Sequence, residues 1–278
     1  PVYGFNTTDT TYAFSTIGAV DVVRTTAVSA KTFLIGAAST VYVSPDRLYI
    51  AVPGRAHDDP VPTTTIHGFD IDNGKITYAS GGTVEGTLLN QYSLDEFMGN
   101  LRVATTVSTG SWRWETGSSS MVTVLDDDLK TIGTLAGIAP GERIYAARFM
   151  GERLYLVTFR ETDPFYVISL EDPERPAILG ELKLPGFSNY LHPYDADHII
   201  GIGKESASGP LKIALFDVSD VNNPALRDTE TLGTSYSTSP VLDDPRAFLF
   251  DKEKDLLVLP VHLTTGGDYY CHPNSRSC

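Results

Sequence analysis

Gly151-Glu152-Arg153-Leu154-Tyr155-Leu156-Val157 is a polar, glycine-led turn that runs without a break into an apolar strand. The chain behind it passes Leu170-Glu171-Asp172-Pro173 and stops on Gly186. An uninterrupted apolar run after a tight turn reads as a hairpin strand covered on both faces, because neither face is left for water. The same order of events recurs along the chain. Strands of this kind are Leu48-Tyr49-Ile50-Ala51-Val52, Leu101-Arg102-Val103-Ala104, Ile199-Ile200-Gly201-Ile202 and Leu256-Leu257-Val258-Leu259. The turns before them are Pro45-Asp46-Arg47, Gly99-Asn100, Asp195-Ala196-Asp197-His198 and Asp251-Lys252-Glu253-Lys254-Asp255. A third strand ends on a hydrophobic residue and a carboxylate, as in Val20-Asp21, Phe69-Asp70, Leu125-Asp126 and Phe216-Asp217. Asp72-Asn73-Gly74, Asp172-Pro173 and Asn222-Asn223-Pro224 supply turn geometry behind it. Each unit closes on a glycine, at Gly36, Gly86, Gly137, Gly186 and Gly233. A spacing of about fifty residues is the period of a propeller blade.

The chain therefore reads as one all-β domain, a β-propeller of four-stranded antiparallel blades. The units are 37–86, 87–137, 138–186 and 187–233, with 234–263 paired with 12–36 as a fifth blade split between the termini and 264–278 as a C-terminal tail. A shared blade of that kind removes the exposed sheet edges that would otherwise recruit other chains.

At 278 residues, without a Pro/Gly/Ser linker and with 41% hydrophobic residues, the chain can fill one large core. A net charge of −14 and the lack of a basic patch exclude nucleic acid and anionic membrane surfaces as partners, since both would be repelled. No apolar stretch approaches the length that spans a bilayer. The chain starts on Pro1 with no leader, which reads as a processed or excised piece of a longer precursor. The two cysteines, Cys271 and Cys278, stand close enough in sequence for a short-loop disulfide of an oxidising compartment; free thiols or a metal clip through His272 are the other readings.

Several runs resemble a secreted β-propeller family of archaea and bacteria distantly related to WD40 repeats. They include Thr40-Val41-Tyr42-Val43-Ser44-Pro45, Leu89-Asn90-Gln91-Tyr92-Ser93-Leu94-Asp95-Glu96 and Gly141-Glu142-Arg143-Ile144-Tyr145-Ala146-Ala147-Arg148-Phe149-Met150-Gly151. Leu191-His192-Pro193-Tyr194-Asp195 and Ala247-Phe248-Leu249-Phe250-Asp251-Lys252-Glu253-Lys254 belong to the same set. The resemblance implies an exported or cell-surface protein of a prokaryote with no established catalytic activity, and members usually longer than this chain.

Ligands of propellers bind at the mouth of the central channel, where the first strands of the blades begin. Here that lining would comprise Asn90, Gln91, Glu142, Arg143, Tyr145, Asn189, Tyr190 and His192. These are mostly neutral hydrogen-bonding or aromatic groups, suited either to a polar ligand such as a glycan or to capping the channel through bound water. Trp112 and Trp114 stand on a glycine-bounded polar loop and offer flat faces to a sugar or a protein, or fold back over a blade edge. The enzyme alternative is a glycoside hydrolase or lyase at the channel. Hydrolysis needs two facing carboxylates, and Glu142 stands alone at its level. The turn carboxylates Asp46, Asp95, Glu96, Glu152, Asp195, Asp197 and Asp251 read as solvated turns, with Ca²⁺ ligation the weaker alternative. No catalytic residue, dedicated metal site or organic cofactor is expected. The expected role is a non-enzymatic extracellular or cell-surface module that binds a protein or glycan or serves as a scaffold.

Overall fold

The computed structural model describes residues 2–4, 13–23, 26–54, 61–111, 114–159 and 163–264. The structure is all β. Strands β1 (Val2–Gly4), β2 (Phe14–Asp21) and β3 (Thr26–Leu34) form a sheet ordered β1-β3-β2, with β1 parallel to β3. Four antiparallel four-stranded sheets follow, each a simple meander. The first holds β4 (Thr40–Val43), β5 (Arg47–Gly54), β6 (Thr63–Asp72) and β7 (Lys75–Glu85). The second holds β8 (Leu94–Phe97), β9 (Asn100–Ser111), β10 (Trp114–Leu125) and β11 (Thr131–Ile138). The third holds β12 (Arg143–Met150), β13 (Arg153–Phe159), β14 (Asp163–Ser169) and β15 (Ala177–Leu184). The fourth holds β16 (Phe187–Pro193), β17 (His198–Lys204), β18 (Leu211–Asp217) and β19 (Ala225–Leu232). A last hairpin pairs β20 (Leu249–Asp251) with β21 (Leu256–Val258).

The apolar runs are the second strands of these sheets. Tyr49 to Val52, Leu154 to Val157 and Ile199 to Ile202 are buried without alternation, because each strand is pressed between two neighbouring sheets. Phe33 and Ile35 join Ile50, Val52 and Phe69 between the N-terminal sheet and the first sheet. Tyr49, Ile66, Leu101 and Val103 fill the next junction, and Val122, Val124, Leu154 and Ile168 the one after. Phe165 of the third sheet stacks on Phe216 of the fourth with ring centroids 4.4 Å apart and planes 10° from parallel. Full burial of one such side chain is worth about 1.5–3 kcal/mol, so the repeated junctions, not any single one, hold the domain together. A polar tie crosses one of these junctions: Arg47 of β5, which binds Asp70 of its own sheet at 2.8 Å, reaches Asp127, beyond β10, at 2.9 Å.

Gly36, Gly86, Gly137, Gly186 and Gly233 all adopt positive φ, between 74° and 87°. The chain leaves each outer strand through the left-handed region to reach the next inner strand, a conformation that a Cβ makes costly.

Segments 12–36 and 234–263 contribute to two separate sheets, β1-β3-β2 and β20-β21, with no ladder between them among the described residues. Pro260 has no N–H to prolong the ladder of β21. The chain beyond it turns back on its own preceding segment, where Thr238 and His262 exchange backbone hydrogen bonds and the Thr234 N–H donates to the Thr264 carbonyl. β1, which the sequence reading did not anticipate, takes the outer edge of β3.

Candidate functional site

The inner strands of successive sheets converge, and what they carry there is set by three local devices. Asn90 caps the short 3-10 turn Gln91–Ser93 by accepting from the Tyr92 N–H at 2.9 Å, which fixes the start of β8. Register shifts between Ile144 and Ala146 in β12 and between Ser188 and Tyr190 in β16 re-aim the side chains that follow them. The outcome is an aromatic and polar cluster. The Tyr92 and Tyr190 ring centroids lie 5.7 Å apart, and the Arg148 guanidinium sits 5.3 Å from the centre of the Tyr92 ring. Tyr190 Oη and His192 Nδ1 share a hydrogen bond of 2.9 Å, and the His192 ring packs against Phe248 and Phe250 at 4.9 and 5.4 Å. Beside the cluster lies a recess of about 220 Å³ lined by Tyr42, Gln91, Tyr92, Leu94, Asp95, Arg148 and Phe149.

The charges around this recess are unequally matched. Asp95 is held by Arg102, whose Nε donates to it at 3.0 Å and whose Nη1 donates to the Gly151 carbonyl at 2.6 Å. Glu96 accepts from Tyr49 Oη at 2.9 Å, and its backbone N–H donates to Tyr42 Oη at 3.0 Å. Arg148 has no carboxylate partner among the described residues, and its Nε is buried without a hydrogen bond. Burial pushes the Tyr190 phenol up to about 12. Burial, reinforced by the Arg148 charge, lowers the pKa of His192, which keeps that imidazole neutral. The recess is thus lined by neutral groups, one neutralised carboxylate and one uncompensated cation.

Of the residues singled out by sequence, Gln91, Tyr190 and His192 reach this cluster, and Asn90 supports it as a cap. The others disperse. Glu142 accepts a short hydrogen bond from Thr158, and burial, followed by the charges of Glu181 and Glu142, raises the pKa of Tyr166. Arg143 lines a second recess of about 340 Å³ together with Thr87, Thr106 and Ser108. Tyr145 packs edge-on against Phe159 and Phe187, at 5.3 and 5.2 Å. Asn189 keeps Oδ1 buried without a partner. Trp112, the Trp114 side chain, Cys271 and Cys278 lie outside the described residues. Tyr42, Tyr92 and Arg148 were missed. The available signal was a lone arginine inside the apolar run Ala146-Ala147-Arg148-Phe149-Met150 of an inner strand.

The turn carboxylates serve the turns. Asp126, Asp172, Asp217 and Asp220 each accept the backbone N–H two residues on, closing Asx turns behind the third strands. Burial works against ionisation of Asp195, but the Asp197 N–H, His198 Nδ1 and Lys252 Nζ outweigh it and hold the carboxyl at about 2. Among the described residues no three His, Cys, Asp or Glu side chains come together in an arrangement that holds a metal ion.

Residues 2–277 match the beta propeller domain family. The chain is similar to an uncharacterized protein of Methanocaldococcus jannaschii, 48% identical over 181 residues that make up 65% of this chain and 28% of the relative. It is also similar to an uncharacterized protein of Archaeoglobus fulgidus, 44% identical over 178 residues, 64% of this chain and 27% of that one. The matched part therefore spans little more than a quarter of the length of these curated relatives.

Proposed function

From the premise that this chain belongs to the beta propeller domain family, we propose that it acts as a non-enzymatic binding module for a protein or glycan at the outside of a prokaryotic cell. The observation that carries the reading is the recess where Tyr42, Gln91, Tyr92 and Arg148, supplied by or beside the inner strands of three sheets, meet on a rigid frame. At about 220 Å³ it is smaller than the roughly 300–1,000 Å³ of drug-sized pockets, so it fits one ring or one side chain, not a polymer in cross-section. Neutral hydrogen-bonding groups and aromatic faces recognise such a ligand without activating it. The carboxylate that hydrolysis would call on, Glu142, accepts a hydrogen bond from Thr158 and does not line that recess. The net charge of −14 suits an exposed acidic surface. No helix of the described residues is long and apolar enough to cross a membrane. The reading calls for no cofactor.

The same reading gives the terminal sheets a common purpose. Phe250 and Leu257 face the fourth sheet, leaving Leu249, Leu256 and Val258 exposed on the other side of the hairpin. Val41 and Val43 of β4 are exposed as well, on the face that also carries Leu48 and Ile50. On the N-terminal sheet, Ile17 and Ala19 pack inward and Phe14 and Val20 point out, while Ile213, Leu215 and Leu257 line an uncovered apolar gap of about 110 Å³. Pairing β21 with β2 as a fifth blade would set these apolar faces against one another and remove two open edges. Hydrogen exchange measures this: protection of the edge amides of β2 and β21 comparable to that in β13 is expected, and exchange at the rate of an exposed edge would refute the closure.

A glycan array on the purified domain tests the functional reading, with Glu142→Gln alongside. Binding that survives Glu142→Gln is expected. Turnover of a glycoside substrate that Glu142→Gln abolishes would overturn the reading in favour of a carbohydrate-active enzyme, and a silent array would leave protein partners.

A further inference from the structure

We propose that the recess beside Tyr92 recognises a carboxylated sugar ring, a hexuronate unit, through Arg148; this rests on the binding-module reading and narrows its ligand class. A guanidinium held partly inside a protein loses hydration, a cost normally offset by an anion or by hydrogen bonds. Two arginines of this chain show that compensation. Arg47 binds Asp70 and Asp127, and Arg102 binds Asp95 and the Gly151 carbonyl. Among the described residues Arg148 has only the Tyr92 ring, with its Nε buried and without a hydrogen-bond partner. Tyr190 does not supply the missing anion, because burial keeps its phenol protonated, and the His192 imidazole carries no negative charge in either of its forms.

The guanidinium is therefore the one recess group with a standing charge and no counter-charge in the protein. A planar fork of this kind matches a carboxylate. The remaining lining selects what bears it. Tyr42 and Tyr92 offer aromatic surface to the face of a ring, Gln91 is exposed and able to donate and accept, and the volume suits a single ring. Asp95, neutralised by Arg102, accepts from a hydroxyl without repelling the carboxylate as a free acid would. The overall charge of −14 opposes an anion at long range, but salt screens exposed charges beyond about 8 Å at physiological ionic strength, which leaves recognition to the local cation.

Calorimetric titration with methyl glucuronide, the neutral methyl glucoside and a short peptide with a free C-terminal carboxylate tests the assignment. Saturable binding of the glucuronide at least about tenfold tighter than the glucoside is expected, the margin of one charge-assisted contact. Arg148→Gln should bring the glucuronide down to the glucoside level with the melting curve of the domain retained. Arg148→Lys, which keeps the charge and loses the fork, should fall between and covers the case in which the first variant fails to fold. Equal affinity for the two sugars, preference unchanged by Arg148→Gln, no sugar binding, or capture of the peptide alone would each overturn it. The broader reading fails separately, by Glu142-dependent turnover, and survives if the array shows neutral glycans instead.

Discussion

Replacing Arg102 by Ala is expected to lower the unfolding free energy by about 3 kcal/mol, the low end of the range for breaking a buried ion pair. Arg102 is 3% exposed and its partner Asp95 26%, so water rescues part of the abandoned carboxylate but none of the arginine's own contacts. Those contacts span the junction of the second and third sheets. The guanidinium sits 4.6 Å from the Phe97 ring centre and 5.1 Å from that of Phe149, and its Nη1 donates to the Gly151 carbonyl. Truncation removes the pair, leaves that carbonyl short of a donor and opens a void between two aromatic rings. Urea denaturation at neutral pH measures the loss. Combining Arg102→Met with Asp95→Leu should recover much of it, because no lone charge then remains. A loss below about 1 kcal/mol for the alanine variant would place the pair with ordinary surface bridges.

Gly186→Ala is the second large effect, expected to cost about 3 kcal/mol against about 1 kcal/mol for Gly137→Ala. Both glycines have positive φ, 87° and 74°, so both alanines carry the strain of the left-handed region, about 1–2 kcal/mol. Their surroundings differ. A Cβ on Gly186 would lie 2.4 Å from the Lys204 carbonyl oxygen and 2.8 Å from Glu205 Cα, backbone atoms that yield only if the β16–β17 pair shifts. At Gly137 nothing lies within 4 Å of that position. The difference between the two denaturation midpoints isolates the close approach from the φ cost. Equal losses would show that conformation alone requires glycine at the close of each repeat.

Much of the fold was legible because its signals are local. The runs at Leu48, Leu101, Leu154 and Ile199 became β5, β9, β13 and β17, since a strand sealed on both faces must be apolar at every position. Asp126, Asp172 and Asp217 announced turns because an Asx turn involves only its own neighbours. The site was less legible. Sequence placed it at the leading ends of the inner strands, yet Glu142, Arg143 and Tyr145 went to three different surroundings while Tyr42, Tyr92 and Arg148 came together. The register shifts in β12 and β16 bear on the residues that follow them, Arg148 in the one and Tyr190 and His192 in the other. One added residue turns every later side chain to the other face, and no pattern in a single strand records that its partner strand fails to follow.

By itself the sequence determined the all-β class, the meander of hairpins and the glycines at which each repeat turns left-handed, because periodicity, turn chemistry and the missing Cβ act within a few residues of one another. Only the tertiary structure decided that Arg102 receives an anion and that Arg148 does not among the described residues. Those outcomes depend on which groups distant in the chain share a junction. A guanidinium's charge is written in its residue name; its compensation is a property of the space around it.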